Sequence, residues 1–190
     1  MQAMILAAGE GNRMRPLSYT RPKVLLPLAG KPIMEHLVIA ARTAGIKEFV
    51  LVVGYYDYLV REYFGDGAKW QVKIDYVTQK RQLGTAHAIG EARERLHGDF
   101  LVMNGDVLVS VADIAALKKA RGHIISVCQR DECSGLGVIE TDGPRVTAIH
   151  EKCALPPSNL ANAGLYRFTP EIMNYIDGTG KSPRGEYEIT

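Results

Sequence analysis

Met4-Ile5-Leu6-Ala7-Ala8-Gly9-Glu10-Gly11-Asn12-Arg13 is the stretch on which the reading of the fold depends. A short apolar run passes directly into a Gly-x-Gly turn, the pattern of a buried strand that delivers a pliable loop to the carboxyl end of a sheet, where open α/β folds hold ligands. Two glycines let the backbone curl so that several N–H groups converge on one anion. Arg13 adds a planar fork of donors for phosphate oxygens. The arrangement suits a polyphosphate. It is not a dinucleotide fingerprint, because Met14 stands where the third glycine belongs, and Gly30-Lys31 is followed by Pro32 rather than the Ser or Thr of a P-loop.

Further apolar runs at Phe49 to Val53, Val72 to Thr78, Phe100 to Met103 and Ile124 to Cys128 read as buried strands. Between them lie helical spacings. The clearest places Met34, Leu37, Val38 and Ala41 on one face, with Pro32 opening the helix and Gly45 closing it. A second helix is predicted from Thr85 to Leu96, ended by Gly98, and a third from Val111 to Ala120, where Ser110 and Asp113 have capping-box spacing. Strand and helix in alternation predict an α/β fold, a Rossmann-like, doubly wound and mainly parallel sheet with helices on both faces. Beyond Ile125 the pattern turns to short strands at Gly137 to Glu140, Val146 to Glu151 and Leu160 to Phe168, which read as antiparallel or mixed. Thr169 and Pro170 would then cap and start a short helix through Ile176. The mixed aromatic segment Tyr55 to Phe64 reads as core, with a homo-oligomer interface as its alternative.

The chain has 190 residues, 46% hydrophobic and 23% charged, with 23 Lys and Arg against 21 Asp and Glu, a net charge of +2. That length fits one domain with its own core. The near-neutral balance argues against nucleic acid as a partner, since its basic residues sit in phosphate-sized motifs rather than one stripe. No apolar run approaches the ~20 residues of a membrane span, and the opening run is too short for a signal core. A cytoplasmic protein without a membrane partner is expected. Cys128, Cys133 and Cys153 lack metal or redox spacing and are read as fillers.

From Leu6 to Pro32 the sequence resembles the sugar-phosphate nucleotidylyltransferase family, whose Leu-Ala-Ala-Gly-x-Gly-x-Arg signature, Pro-Lys pair (Pro22-Lys23) and Gly-Lys-Pro (Gly30-Lys31-Pro32) it matches in order and spacing. The resemblance implies a nucleotide-diphospho-sugar transferase-like fold. It places nucleotide binding on Leu6, Ala7, Ala8, Gly9 and Gly11, the departing pyrophosphate on Arg13, and the phosphates at the reacting centre on Lys23. The chemistry asks for such groups. A sugar 1-phosphate attacking the α-phosphorus of a nucleoside triphosphate brings two anions together, so cations and N–H donors are needed and a strong base is not.

The resemblance continues through Gln79 to Ala88, where it implies that Gln79, Gly84 and Thr85 frame a pyrimidine base, favouring UTP or dTTP. The Gln79 amide can donate and accept across a base edge. Thr85 reads alternatively as a helix N-cap, and His87 as an ordinary helix-face residue. Asp106, in Asn104-Gly105-Asp106 beyond a buried strand, is by resemblance the ligand of a Mg²⁺ cofactor. Gly137, Glu151, Lys152 and Asn162 match the family's sugar-facing positions: close backbone approach at Gly137, acceptance of sugar hydroxyls by Glu151, amide contacts from Asn162, and a supplementary phosphate cation in Lys152. The ending Glu186-Tyr187-Glu188-Ile189-Thr190 resembles a segment that family members continue into an aspartate and a second metal ligand. Residues 1–190 are accordingly expected to be a single nucleotidyltransferase domain lacking its carboxyl-terminal part and any left-handed β-helix. The partners implied are a nucleoside triphosphate and a sugar 1-phosphate. Two alternatives remain at this level: a non-catalytic nucleotide-sugar binding or regulatory protein, and a transferase acting on a small non-sugar phosphate.

Overall fold

A computed structural model describes residues 1–151, 155–182 and 185–190. Its backbone runs β1 (Gln2–Ala7), a hairpin of β2 (Pro27–Leu28) and β3 (Lys31–Pro32), α1 (Ile33–Thr43), β4 (Glu48–Val53), α2 (Asp57–Phe64), β5 (Lys73–Thr78), α3 (Thr85–Glu91), β6 (Phe100–Asn104), α4 (Val111–Lys119), β7 (Ile124–Gln129), β8 (Gly137–Asp142), β9 (Arg145–Glu151), β10 (Leu160–Phe168) and α5 (Ile172–Gly178). Among the described residues one sheet holds eight strands, ordered β5-β4-β1-β6-β10-β8-β9, with β7 also paired to β10. The first four are parallel, and β10 joins β6 antiparallel. The sheet is therefore Rossmann-like and mixed, with its parallel part built from the amino-terminal half.

The continuous apolar runs follow from burial on both faces. Ala3, Ile5 and Ala7 pack with Phe49, Leu51, Val53, Leu101 and Met103 against Met34, Leu37 and Val38 of α1, Val60 and Phe64 of α2, and Ile114 and Leu117 of α4. Met4, Val50, Val52, Phe100 and Val102 face the other way, onto Ala88 and Ile89 of α3 and Met173 and Ile176 of α5. Alternate residues of each strand thus feed two cores.

Several local expectations are corrected. The helix at Thr85 ends at Glu91 and passes through Ala92 into a 3₁₀ turn, Arg93–Arg95. The last helix begins at Ile172, because Thr169 to Glu171 close 3₁₀-type bonds to Ile172, Met173 and Asn174 first. Pro32 sits at the N-cap of α1 in an extended conformation, one residue before the helix. Helix α2 was not anticipated: it buries Val60 and Phe64, one turn apart, and leaves Tyr58 exposed, so the segment is core on one face only. The capping box of Ser110 and Asp113 forms as expected. Cys133 is buried and Cys128 half-buried, both as free thiols; Cys153 and Lys152 lie outside the described residues.

Candidate functional site

A cleft of about 720 Å³ opens beyond the carboxyl ends of β1, β5 and β6. It is lined by Leu6, Ala7, Ala8, Gly9, Arg13, Lys23, Gln79, Gly84, Thr85, Asp106, Gly137, Glu151 and Asn162. The structure thus gathers into one cavity residues that the sequence scatters over some 150 positions. Gly11 supports the cavity from outside its lining.

The two loop glycines do different things. Gly11 alone takes a left-handed conformation (φ 66°), and a Cβ there would lie 2.9 Å from the Lys23 Cβ. Gly9 has an ordinary φ, and a Cβ on it would meet no protein atom within 4 Å, which leaves its side of the cleft open. The turn is tied down by buried Ser18, whose hydroxyl donates to the Gly11 carbonyl at 2.8 Å. Tyr55 and Tyr56 donate from their hydroxyls to the carbonyls of Ser18 and Tyr19. Arg13 is exposed on the 3₁₀ turn Asn12–Met14 that follows.

Lys23 opens a second 3₁₀ turn, Lys23–Leu25, anchored by buried Val24. Asp106 stands two residues past β6, where the Gly105 N–H donates to the Leu6 carbonyl at 2.9 Å. Only glycine fits that approach, since a Cβ would come 2.8 Å from both the Leu6 oxygen and Val24. The result brings Lys23 Nζ to 2.5 Å from Asp106 Oδ2, with both side chains still partly open to the cleft. Lys31 belongs to the exposed tip of the β2-β3 hairpin and does not line the cavity.

Gln79 continues the β5 edge, donating its backbone N–H to the Val53 carbonyl, and is 4% exposed. Its side-chain nitrogen lies 3.1 Å from the Gly84 carbonyl and 2.9 Å from His87 Nδ1. The expectation that this amide both donates and accepts toward a ligand is therefore narrowed, for both of its hydrogens are engaged within the protein. Thr85 is not the N-cap; Gly84 is, and the Thr85 hydroxyl accepts from the Ile189 N–H.

On the opposite wall, Gly137 lies directly across from Glu151 in the β8-β9 ladder, and a Cβ on Gly137 would press to 2.8 Å from Glu151 Oε1. The glycine makes room for the carboxylate. Asn162 donates to the Tyr166 hydroxyl at 2.7 Å and accepts from the Gly164 N–H at 2.9 Å, across an irregularity in β10. Burial raises the Tyr166 pKa, with the Glu151 charge acting the same way against the Asn162 bond, so this hydroxyl keeps its proton.

A strap of carboxyl-terminal residues completes the cavity, and no role was read for it from the sequence. Tyr187 donates its N–H to Leu83 and accepts from Ala86 through its carbonyl, while the Thr190 hydroxyl reaches Glu151 Oε1 at 2.6 Å. Gly84, at φ 110°, is the signal that marks this crossing: a Cβ there would lie 2.3 Å from the Tyr187 oxygen.

Among the described residues no cluster of three or more acidic, His or Cys side chains forms a metal cage. The donor set fits a cation that takes few protein ligands. Asp106 offers one carboxylate beside a phosphate-suited wall, and Mg²⁺ commonly takes only one or two protein carboxylates, completing its shell with phosphates and water.

Residues 2–190 match the family of nucleotidyl transferases. The bifunctional protein GlmU of Methanococcus maripaludis is 36% identical over all of this chain and 45% of its own length. The UTP--glucose-1-phosphate uridylyltransferase AglF of Haloferax volcanii is also 36% identical, over all of this chain and 81% of its own. A crystal structure of a UDP-glucose pyrophosphorylase complexed with UDP-glucose superposes with a TM-score of 0.88 at 26% identity, over all of this chain and 83% of that one. The chain thus spans under half the length of the GlmU relatives it matches.

Proposed function

The chain belongs to the nucleotidyl transferase family, and from that premise we propose that it condenses a sugar 1-phosphate with a nucleoside triphosphate, UTP or dTTP in preference, to give an NDP-sugar and pyrophosphate. The observation that carries this reading is the meeting of Lys23 and Asp106 in one cleft whose walls also bear Arg13, Gln79 and Glu151.

The residues divide the work by charge. An oxygen of the sugar phosphate attacks the α-phosphorus, the bond from that phosphorus to the β-phosphate bridging oxygen breaks, and pyrophosphate departs with the electron pair. Arg13 neutralises the leaving group, and Lys23 the α-phosphate where the two anions converge. Ala7, Ala8 and Gly9 present an open backbone to the nucleotide, with Leu6 behind them. Gln79, Gly84 and Thr85 receive the base, and Gly137, Glu151 and Asn162 the sugar hydroxyls. Glu151 is an acceptor for them, as its bond from Thr190 illustrates. Asp106 would hold Mg²⁺ together with substrate phosphates; when bound, that ion supplies charge neutralisation and in-line alignment.

The free thiols of Cys128 and Cys133 support a reducing cytoplasmic setting. Among the described residues no helix is long and apolar enough to cross a membrane. The test is pyrophosphate release with Mg²⁺ from a matrix of nucleoside triphosphates and sugar 1-phosphates. Release that requires both substrates bears the reading out. Triphosphate binding without release in any combination refutes turnover and leaves a binding protein.

A further inference from the structure

Gln79 has been placed at the base, and its amide is held on the protein side by the Gly84 carbonyl and by His87, a residue with no part in that reading. An amide nitrogen carries two hydrogens and no lone pair. The Gly84 carbonyl, 3.1 Å from this nitrogen, can only accept, which fixes the NH₂ end of the amide on that side. His87 Nδ1, 2.9 Å from the same nitrogen, must then be the unprotonated ring nitrogen, and the ring proton sits on Nε2. Glu91, one turn further along α3, places its carboxylate 3.7 Å from Nε2, too far for a hydrogen bond.

We infer that His87, with the Gly84 carbonyl, orients the Gln79 amide so that it presents Oε1, and not its NH₂, to the nucleobase, making His87 a positioning residue that selects bases with an imide N–H. Both amide hydrogens are consumed on the protein side, so the oxygen is what remains for a ligand. Among the described residues it has no partner. Uracil and thymine carry an N–H between two carbonyls and match this acceptor. Cytosine has a bare ring nitrogen at the same place, and two acceptors would face each other, which disfavours it. The inference rests on the base assignment made for Gln79 under the proposed function, and it names the residues that enforce it.

The experiment compares UTP and CTP in calorimetric binding and, with a sugar 1-phosphate, in steady-state turnover, for the wild-type protein, His87→Leu and His87→Asn. Leucine fills the space without an acceptor; asparagine can return an oxygen near the Nδ1 position. His87→Leu is expected to lower the UTP-over-CTP ratio roughly fivefold or more, the worth of one hydrogen bond to the reading group. The loss should appear in Kd and KM for UTP, with kcat and the KM for the sugar phosphate little changed. His87→Asn should recover most of the ratio. If His87→Leu does not fold, His87→Gln, whose oxygen reaches past the Nδ1 position, takes its place with the same expected loss. A wild-type preference for UTP that survives undiminished in His87→Leu, or in His87→Gln where that takes its place, overturns the inference while leaving the proposed function standing. Equal binding of UTP and CTP by the wild type overturns the base assignment and the inference together. Selective binding without turnover refutes only the enzymatic reading.

Discussion

Lys23 Nζ and Asp106 Oδ2 lie 2.5 Å apart although 83 positions separate them in the chain, so the cation and the carboxylate assigned to different jobs pair with each other across the cleft. Phosphate and metal would each compete for one member of this pair. Because both side chains are about one-third exposed, the pair itself contributes only ~0–1 kcal/mol to stability. Asp106→Asn and Lys23→Ala are therefore expected to melt within a few degrees of the wild type and to lose pyrophosphate release by roughly 10²- to 10³-fold. A variant that keeps full turnover would remove that residue from the reaction.

Gly9 and Gly11 should separate binding from folding. Gly11→Ala forces a left-handed alanine against Lys23 and is expected to cost about 1–2 kcal/mol in denaturant unfolding. Gly9→Ala meets no protein atom and should leave stability unchanged while weakening triphosphate binding, because its methyl group enters the cleft. Calorimetric titration with UTP beside a melting curve distinguishes them; unaltered binding by Gly9→Ala would show that the nucleotide does not approach this backbone.

Gly84→Ala is expected to displace the strap. Its φ of 110° is open in practice only to glycine, at a cost of order 1–3 kcal/mol for other residues, and the methyl group would overlap the Tyr187 carbonyl. Hydrogen exchange should report it directly: the amides of Ala86 and Tyr187, protected by their mutual crossing, are expected to exchange faster while those of β1 and β6 do not change.

Glu35 supplies a pH-dependent contribution far from the cleft. Burial pushes its carboxyl up, but bonds from the Tyr63 hydroxyl at 2.6 Å and the Trp70 indole N–H at 3.1 Å, with Lys69 and Lys31 nearby, outweigh burial and hold its pKa below the usual value. A folded-state pKa that is depressed stabilises the fold above the unfolded-state value, and that contribution disappears as pH falls through the folded value. Glu35→Ala should cost about 2 kcal/mol at pH 7, and the gap from wild type should narrow as the pH falls through the lowered carboxyl value. Burial and the same carboxylate push the Tyr63 pKa up to about 12, so its donor persists through the neutral range. A gap that stays constant with pH would mean that the carboxylate charge contributes nothing.

What the sequence determined by itself was local. Apolar runs with β-branched residues located the strands, Ser110 and Asp113 announced α4, and the spacing of Met34, Leu37, Val38 and Ala41 drew the buried face of α1. Helix α2 escaped because its N-cap is Tyr56 in a left-handed conformation, with none of the usual Ser, Thr, Asp or Asn before the first turn. The candidate site was legible as residue types on a familiar signature, and Leu6 to Arg13, Lys23, Gln79 and Asp106 could be named before their neighbours were known. Only the tertiary structure decided which of them touch. The parallel register of β1 with β6 sets Leu6 beside Asn104 and so brings Asp106 to Lys23; the turn of α3 sets His87 on Gln79; the crossing at Gly84 carries Thr190 to Glu151. Propensity and periodicity act over a few residues, whereas these contacts arise from sheet register and packing between segments far apart in the chain, where small residues such as Gly105 and Gly84 permit backbones to approach.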